Sequence, residues 1–559
     1  MKRDPKQSID RRFDVLIIGG GIHGAALAYE TSRSGMDTAL LEKKDFANAT
    51  SANSLKILHG GIRYLQHGNF KRMRESIVSR REIMALAPHL VAPLACIVPI
   101  CGSGLKGRQM MRVALNIYDW ISYDRNQGLT PRNYLPRGKI LSREQCLQIM
   151  PRANVENLSG AMLWYDALAV NPERLVLEYI SRAREAGAFI KNYSRVSKIL
   201  AENKSVTGVE TVDSLTGEQL IIEARVVVNA TGPWLTKLLD NSPSPLVEKP
   251  SLAKAVNIVV NKSLFQNYAV GLEGSTAYQD KDAVITRGKR FYFFVPWRGY
   301  TMIGTSYKPY VGDPDNFCAE LSDIEELIRE VNTIYPSAEL SLENVTFYHA
   351  GLIPRTGNTD ADSDDVQLDK NTEIINHEFA DNIKGLLSIK GVKYTTAPHT
   401  AKLVTNNIRK ILGKPETIAT NINMKGAHDD VSIMATHRAH ETHDPITYLK
   451  MTYGKRGEKI AEMLQQNPEL GEQLSKDPLL IAAEVVYFIQ EEMARKLSDV
   501  IFRRTDLGTA ECPPAILIDR VSHLMAQELG WDDERTRQEK QEVMQRYQPL
   551  QPAATNHSE

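Results

Sequence analysis

One short stretch constrains this chain more than any other. Gly19-Gly20-Gly21-Ile22-His23-Gly24 follows the apolar run Phe13–Ile18 and opens a helical pattern from about Ile22 to Ser34, closed by Gly35. A brief apolar run ending in glycine reads as a buried parallel strand. A second strand, Thr38–Leu41, ends at Glu42 and completes a strand–helix–strand unit. Gly19, Gly21 and Gly24 supply G-x-G-x-x-G. The motif is weak alone, but strong between a strand and a helix with an acidic residue ending the next strand. The glycines allow a tight turn and close approach to a pyrophosphate, and the helix N-terminus supplies N–H groups and partial positive charge. Glu42 is placed to accept ribose hydroxyls, which argues against a 2′-phosphate.

A chain of 559 residues suggests two or three domains. It carries 68 basic and 68 acidic residues, so the basic excess expected of a nucleic-acid partner is missing. The five cysteines are odd in number and scattered, which reads as reduced thiols of a cytosolic protein with no metal site. The opening MKRDPKQSIDRR lacks the apolar core of a signal peptide. The longest hydrophobic stretch, Leu90 to Cys101, is broken by Pro93 and Pro99 and is too short to span a bilayer. The expected location is the cytoplasm, free or on the inner face of the membrane.

Further strand signals are Arg225–Val228, Phe291–Val295, Met302–Ile303 and Leu386–Ile389; helical patterns include Asn69–Leu86 and Pro172–Ala186. This alternation predicts an α/β fold with a second sheet in the middle of the chain. Around Thr405 the character changes. Val485, Val486, Phe488, Ile489, Met493, Leu497 and Ile501 follow helical spacing, as do Ile516, Ile518, Val521, Leu524, Met525 and Leu529, with Gly530 as C-cap. Residues 406–548 are expected to form a helical domain, and 549–559 a frayed tail.

The fingerprint does not separate FAD from NAD, but two later segments do. Val228-Asn229-Ala230-Thr231-Gly232-Pro233-Trp234 resembles the strand followed by Ala-Thr-Gly that returns the chain to the FAD in two-domain flavoproteins. Gly391-Val392-Lys393-Tyr394-Thr395-Thr396 resembles their closing flavin-side segment. No second G-x-G-x-x-G is present, so no separate NAD(P)H domain is expected.

Asn48 to Phe70 reads NATSANSLKILHGGIRYLQHGNF, which resembles the flavin-lining signature A-T-S-x-x-S-x-K-x-x-H-G-G-x-R-Y-L of the FAD-dependent glycerol-3-phosphate dehydrogenases. The likeness continues through Tyr165-Asp166, Asn171–Leu175, Pro296-Trp297, Ile303–Thr305, Tyr453-Gly454, Glu484–Tyr487 and Glu492–Arg495, nearly the whole chain in order. It implies a Rossmann-like FAD-binding domain with an interleaved mixed β-sheet substrate domain, plus the helical C-terminal domain. The oxidoreductase domain would run over 12–405, with FAD-binding parts at about 12–90, 190–240 and 345–405 and substrate-binding parts at about 91–189 and 241–344. The residues implied to hold FAD are Gly19, Gly20, Gly21, Gly24, Glu42, Lys43, Thr50, Ser51, Ser54, Lys56, His59, Gly60, Val196, Ala230, Gly232, Gly391, Val392, Lys393 and Thr395.

The substrate side departs from the family pattern. Its K-G-x-H-I-V-V histidine is Asn257 here, the arginine of Y-S-G-V-R-P is Ile353, and that of I-T-R-D is Leu368. G-T-T-D becomes Gly304-Thr305-Ser306-Tyr307, and Ala397-Pro398 stand where an arginine follows K-L-T-T-Y. Arginine suits phosphate because its planar fork bonds two oxygens, so the pocket is expected to have changed its substrate. Arg63, Tyr64 and Lys393 match substrate-facing positions. Flavin-dependent alcohol oxidation needs a base for the hydroxyl proton. His349 is the expected base, on one strand face with Gly351, Ile353 and Arg355, and Arg355 is the expected replacement anion contact. His59 is expected to position the cofactor. The basic helix with Lys71, Arg72, Arg74, Arg80 and Arg81, and Lys106, Arg108 and Arg112 beside Met110 and Met111, read first as solvated faces, with contact to anionic lipid as the alternative.

The leading reading is oxidation of a secondary alcohol (glycerol 3-phosphate or a related polyol, phosphate ester or hydroxy acid) with electrons passed to a quinone or another acceptor. Amine or amino-acid oxidation and a non-catalytic flavin-binding role remain open, as does a homodimer.

Overall fold

Phe13–Ile18 lies at the centre of a sheet covered on both faces, which is why it reads as an unbroken apolar run. In this computed structural model, which describes residues 11–102, 104, 107–151, 157–240, 251–277, 289–356, 366–415, 445–476 and 478–550, the strand is flanked in parallel by Thr38–Leu41 and Gln219–Asn229. Leu386–Lys390 continues the sheet beyond Gln219–Asn229, and Phe189–Lys191 beyond Thr38–Leu41, both parallel. Glu373–Asn376 closes one edge antiparallel, and a meander of Ser194–Glu202 and Ser205–Asp213 grows from Gln219–Asn229. Helices Ile22–Arg33, Pro172–Glu185 and Ala397–Ile411 pack on one face, and the meander with Leu235–Asp240 on the other.

The second sheet has nine strands, ordered Val345–Arg355, Ser251–Val260, Tyr300–Tyr310, Lys289–Trp297, Tyr268–Ala277, Val91–Cys101, Leu158–Ala169 and Ile57–Leu58, with Lys139–Leu141 paired beside Leu158–Ala169. All neighbours are antiparallel except Tyr268–Ala277 with Val91–Cys101, so the sheet is mixed. Pro93 and Pro99, which rule out a membrane span, sit within a strand here. Among the described residues no helix is long and apolar enough to cross a membrane.

The C-terminal helices share one core with the second sheet: Phe488, Ile501, Val521 and Met525 join Val259, Val295 and Trp297. The single helical pattern read from Val485 to Ile501 is interrupted. The helix Ala482–Glu491 stops, Met493 takes φ 57°, and Leu497–Asp499 leads into a π-helical turn at Val500–Arg504. That turn aims Arg503 and Arg504 at Asp45, which is buried three residues beyond Glu42. The helix Ala515–Leu529 ends at Gly530 with φ 69°, where a left-handed cap favours glycine.

Two sequence-based boundaries move. Pro172–Glu185, assigned to the substrate-binding parts, packs on the first helix of the nucleotide unit because its apolar stripe matches that face. The division at 405/406 falls inside the continuous helix Ala397–Ile411. Lys106 and 551–559 lie outside the described residues.

Candidate functional site

A cavity of about 1460 Å³ runs from the glycine turn to the concave side of the second sheet. At the nucleotide end the chain leaves no room for side chains. A Cβ on Gly24 would lie 1.9 Å from the Gly19 carbonyl, so this glycine sets the contact of helix and strand rather than touching a ligand. Gly19 takes φ 111° with the Ala230 carbonyl close by, a conformation that favours glycine. Glu42 accepts from the N–H of Gly20 (2.6 Å) and of Lys44 (2.9 Å), while burial pushes its pKa upward. The Ser51 hydroxyl accepts from the N–H of Ile22 (3.0 Å), in the first turn of the helix. Lys43 stacks 3.6 Å over the Trp234 ring and pairs with Asp315 (2.6 Å). A cradle without side chains, a helix N-terminus and a half-buried carboxylate together fit a dinucleotide with free ribose hydroxyls.

Most residues expected to hold FAD line this cavity: Gly19, Gly21, Glu42, Lys43, Thr50, Ser51, Ser54, His59, Val196, Ala230, Gly232, Gly391, Val392, Lys393 and Thr395. Four do not. Gly20 and Gly24 shape the turn from behind, and Gly60 is a packing glycine, since a Cβ there would meet the Tyr118 hydroxyl and Arg80. Lys56 turns away at φ 62° and is buried at 1% exposure, 4.5 Å over the Trp297 ring and 4.0 Å from Glu173.

On the substrate side, Arg63, Tyr64 and Lys393 come together as expected. The Lys393 ammonium lies 4.3 Å over the Tyr64 ring, and burial with the nearby Arg63 charge lowers its pKa to about 8. His349 does not reach the cavity. The alternation read from sequence does not describe the wall: Gly351, Leu352, Ile353 and Pro354 all line it, while His349 and Arg355 do not. His349 is covered by the main chain of Ala52 and Thr509 and the Phe347 ring, and is 1% exposed. Burial and the charges of Lys56 and Arg546 drive its pKa well below the usual imidazole range, and it is not among the residues that line the cavity. Arg355 is 8% exposed and also away from the cavity, at a bridge to Leu368. Ile353, Leu368 and Asn257 do line it. Asn257 accepts from the Thr305 hydroxyl (2.7 Å) and pairs across the strands with His349.

Among the described residues three histidines line the cavity, His23, His59 and His67, and the one backed by a buried carboxylate is His59, whose role the sequence assigned to cofactor positioning. Its Nδ1 lies 3.1 Å from Asp166, and its ring meets Phe293 edge-on at 6.0 Å. Burial pushes the Asp166 carboxyl up, but His59, Arg80 (2.5 Å) and the N–H of Gly60 (2.7 Å) outweigh it and hold the pKa below the ordinary value. An ionised Asp166 makes Nδ1 the donor and leaves Nε2 able to accept a proton. The Tyr165-Asp166 motif marked this carboxylate; its partner was out of reach of sequence. Arg290 and Glu273 also line the cavity, and no motif flagged them.

Residues 14–407 match the family model described as FAD dependent oxidoreductase. The chain belongs to that family. FAD is the cofactor of this oxidoreductase, and residues 417–536 match the C-terminal domain of alpha-glycerophosphate oxidase. The flavoenzyme is 30% identical over 517 residues to a glycerol-3-phosphate dehydrogenase of Synechocystis sp., covering 89% of each chain. It is 28% identical over 573 residues to the mitochondrial glycerol-3-phosphate dehydrogenase of Schizosaccharomyces pombe, covering 94% of this chain and 85% of that one. Its fold is similar to that of the glycerol-3-phosphate dehydrogenase from Bacillus halodurans complexed with FAD, at a TM-score of 0.73 and 23% identity over 98% of this chain and 97% of that one.

Proposed function

We propose that this flavoenzyme oxidises a secondary alcohol bearing an anionic group, glycerol 3-phosphate or a related phosphate ester or hydroxy acid. The observation that carries the reading is a cationic pair, Arg63 and Lys393, sharing one cavity with a histidine backed by a buried carboxylate. His59 accepts the hydroxyl proton at Nε2, and Asp166 stabilises the resulting imidazolium through Nδ1. Lys393 and Arg63 hold the substrate's negative charge. FAD, when bound, supplies the acceptor for the hydride leaving the carbinol carbon. Oxidation of a protonated amine is disfavoured because its ammonium would face the same two cations. The same fold supports C–N chemistry, so the distinction rests on these residues and not on architecture.

The proposal extends to a membrane quinone as electron acceptor. On the helix Arg108–Ile121, Met110, Val113, Ile117 and Trp120 form an exposed apolar stripe at i, i+3, i+7 and i+10, and Trp120 is 78% exposed. Arg108 and Arg112 lie on the same helix, and Met110, Val113 and Ile117 also line the cavity. A surface helix with this pattern suits the lipid interface, and supports a peripheral location with the cavity mouth toward the bilayer. Anaerobic flavin reduction by a panel of anionic alcohols and amines tests the reading: alcohols are expected to bleach the flavin and amines are not.

A further inference from the structure

Asp45 is fully buried and does not line the cavity, yet it follows directly on Glu42, Lys43 and Lys44, which do. Its carboxylate accepts four hydrogen bonds. Oδ1 accepts from Asn192 Nδ2 (3.1 Å) and Arg504 Nη2 (2.9 Å), and Oδ2 from Arg503 Nε (2.6 Å) and Arg504 Nη1. Both arginines come from the π-helical turn Val500–Arg504 of the C-terminal region, and neither lines the cavity. Arg503 also donates to Asp499 (2.5 Å), which accepts from the Tyr193 hydroxyl (2.6 Å). Two carboxylates and two guanidinium groups therefore balance in one buried cluster.

From this cluster the constraint runs to the cofactor end by two routes. The N–H of Glu42 bonds the Lys191 carbonyl (3.0 Å), that of Ser194 the Glu42 carbonyl (2.7 Å) and that of Tyr193 the Lys44 carbonyl (2.9 Å), so the loop is laced to residues 191–194. Asn192 and Tyr193, in that same segment, are themselves tied to Asp45 and Asp499. On the other side Phe46 is buried against the glycine turn, where a Cβ on Gly20 would lie 2.7 Å from its ring. Removing the arginines would leave Asp45 an unpaired buried charge. Moving the loop toward water relieves that cost, and Glu42 moves with it.

We propose that Arg503 and Arg504 are positioning residues of the cofactor site: through Asp45 they fix the loop that carries Glu42, so FAD binds tightly only while the C-terminal helices are docked. Bound FAD in turn favours that docking, since such coupling is reciprocal. The inference does not depend on which substrate is oxidised, and both directions are measured on the full chain. In hydrogen exchange, adding FAD to the apoprotein should protect the amides of Val500–Arg504 more than those of Ala515–Leu529, a helix of the same region that packs in the core shared with the second sheet. In reconstitution with FAD, Arg504→Gln should weaken binding roughly 5- to 100-fold in otherwise wild-type protein. In Glu42→Gln protein the same change should cost about twofold at most, because the group that the loop presents is already lost. Arg504→Lys keeps the charge and should restore part of the affinity. Equal protection of the two segments, wild-type FAD affinity in Arg504→Gln, or the same fold-loss in both backgrounds would overturn the proposal. The exchange comparison uses the wild-type chain, so it decides the question even where Arg504→Gln fails to fold.

Discussion

Replacing Glu42 by glutamine isolates the group on which cofactor selection depends. The carboxylate spans two backbone N–H groups, of Gly20 and Lys44, and is half-buried. Glutamine keeps the shape but turns one acceptor into an NH₂, so one of those N–H groups loses its partner. It also loses the negative charge offered to ribose hydroxyls. A hydrogen bond to a charged group is worth about 1.5–3 kcal/mol, so FAD affinity should fall roughly ten- to hundredfold. Reconstitution of apoprotein, followed by quenching of FAD fluorescence, measures it. Wild-type protein should also lose FAD as pH falls through the raised pKa of Glu42, because the protonated carboxyl no longer offers two acceptors; Glu42→Gln should lack that acid limb. An unchanged FAD dissociation constant in Glu42→Gln, with the acid limb intact, would refute the assignment.

His59→Asn should slow flavin reduction by more than ~100-fold while retaining FAD, which stopped-flow absorbance can check. Because Lys393 has a pKa of about 8, its ammonium is present below that pH and lost above it. Binding of inorganic phosphate should therefore weaken as pH rises through about 8, and Lys393→Met should flatten that dependence in calorimetry. Trp120→Asp should cut sedimentation with anionic vesicles by about tenfold, the cost of losing one large exposed apolar side chain that would enter the lipid interface; vesicle binding as strong as wild type would show that the stripe faces water.

The glycine turn was legible because everything it needs is local: a strand, a turn too tight for side chains, a helix and a carboxylate within about thirty residues. The strand carrying His349 was legible too, but not which of its residues line the cavity: 351–354 do so consecutively, and His349 and Arg355 do not. What covers His349 is the backbone of Ala52 and Thr509, far away in the chain on either side, and no periodicity encodes that. Lys56 misled for a related reason. It lies inside a motif whose neighbours line the cavity, but a positive φ turns its side chain into the core. Arg290 carried no local signature, since its supports at Tyr307 and Val366 come from other strands and loops. The helical spacing from Val485 to Ile501 spanned a break because Met493 in a left-handed conformation interrupts the helix without disturbing the apolar pattern.

The central claim is that one cavity joins FAD to an anionic alcohol with His59 as base. Its most direct test is anaerobic titration of the holoenzyme with glycerol 3-phosphate, longer polyol phosphates, 2-hydroxy acids and the corresponding amines, recording the flavin spectrum in wild type and His59→Asn. At least one anionic alcohol should bleach the wild-type flavin and do so far more slowly in the variant. Bleaching by amines alone, by no compound in the panel, or equally in both proteins would contradict it.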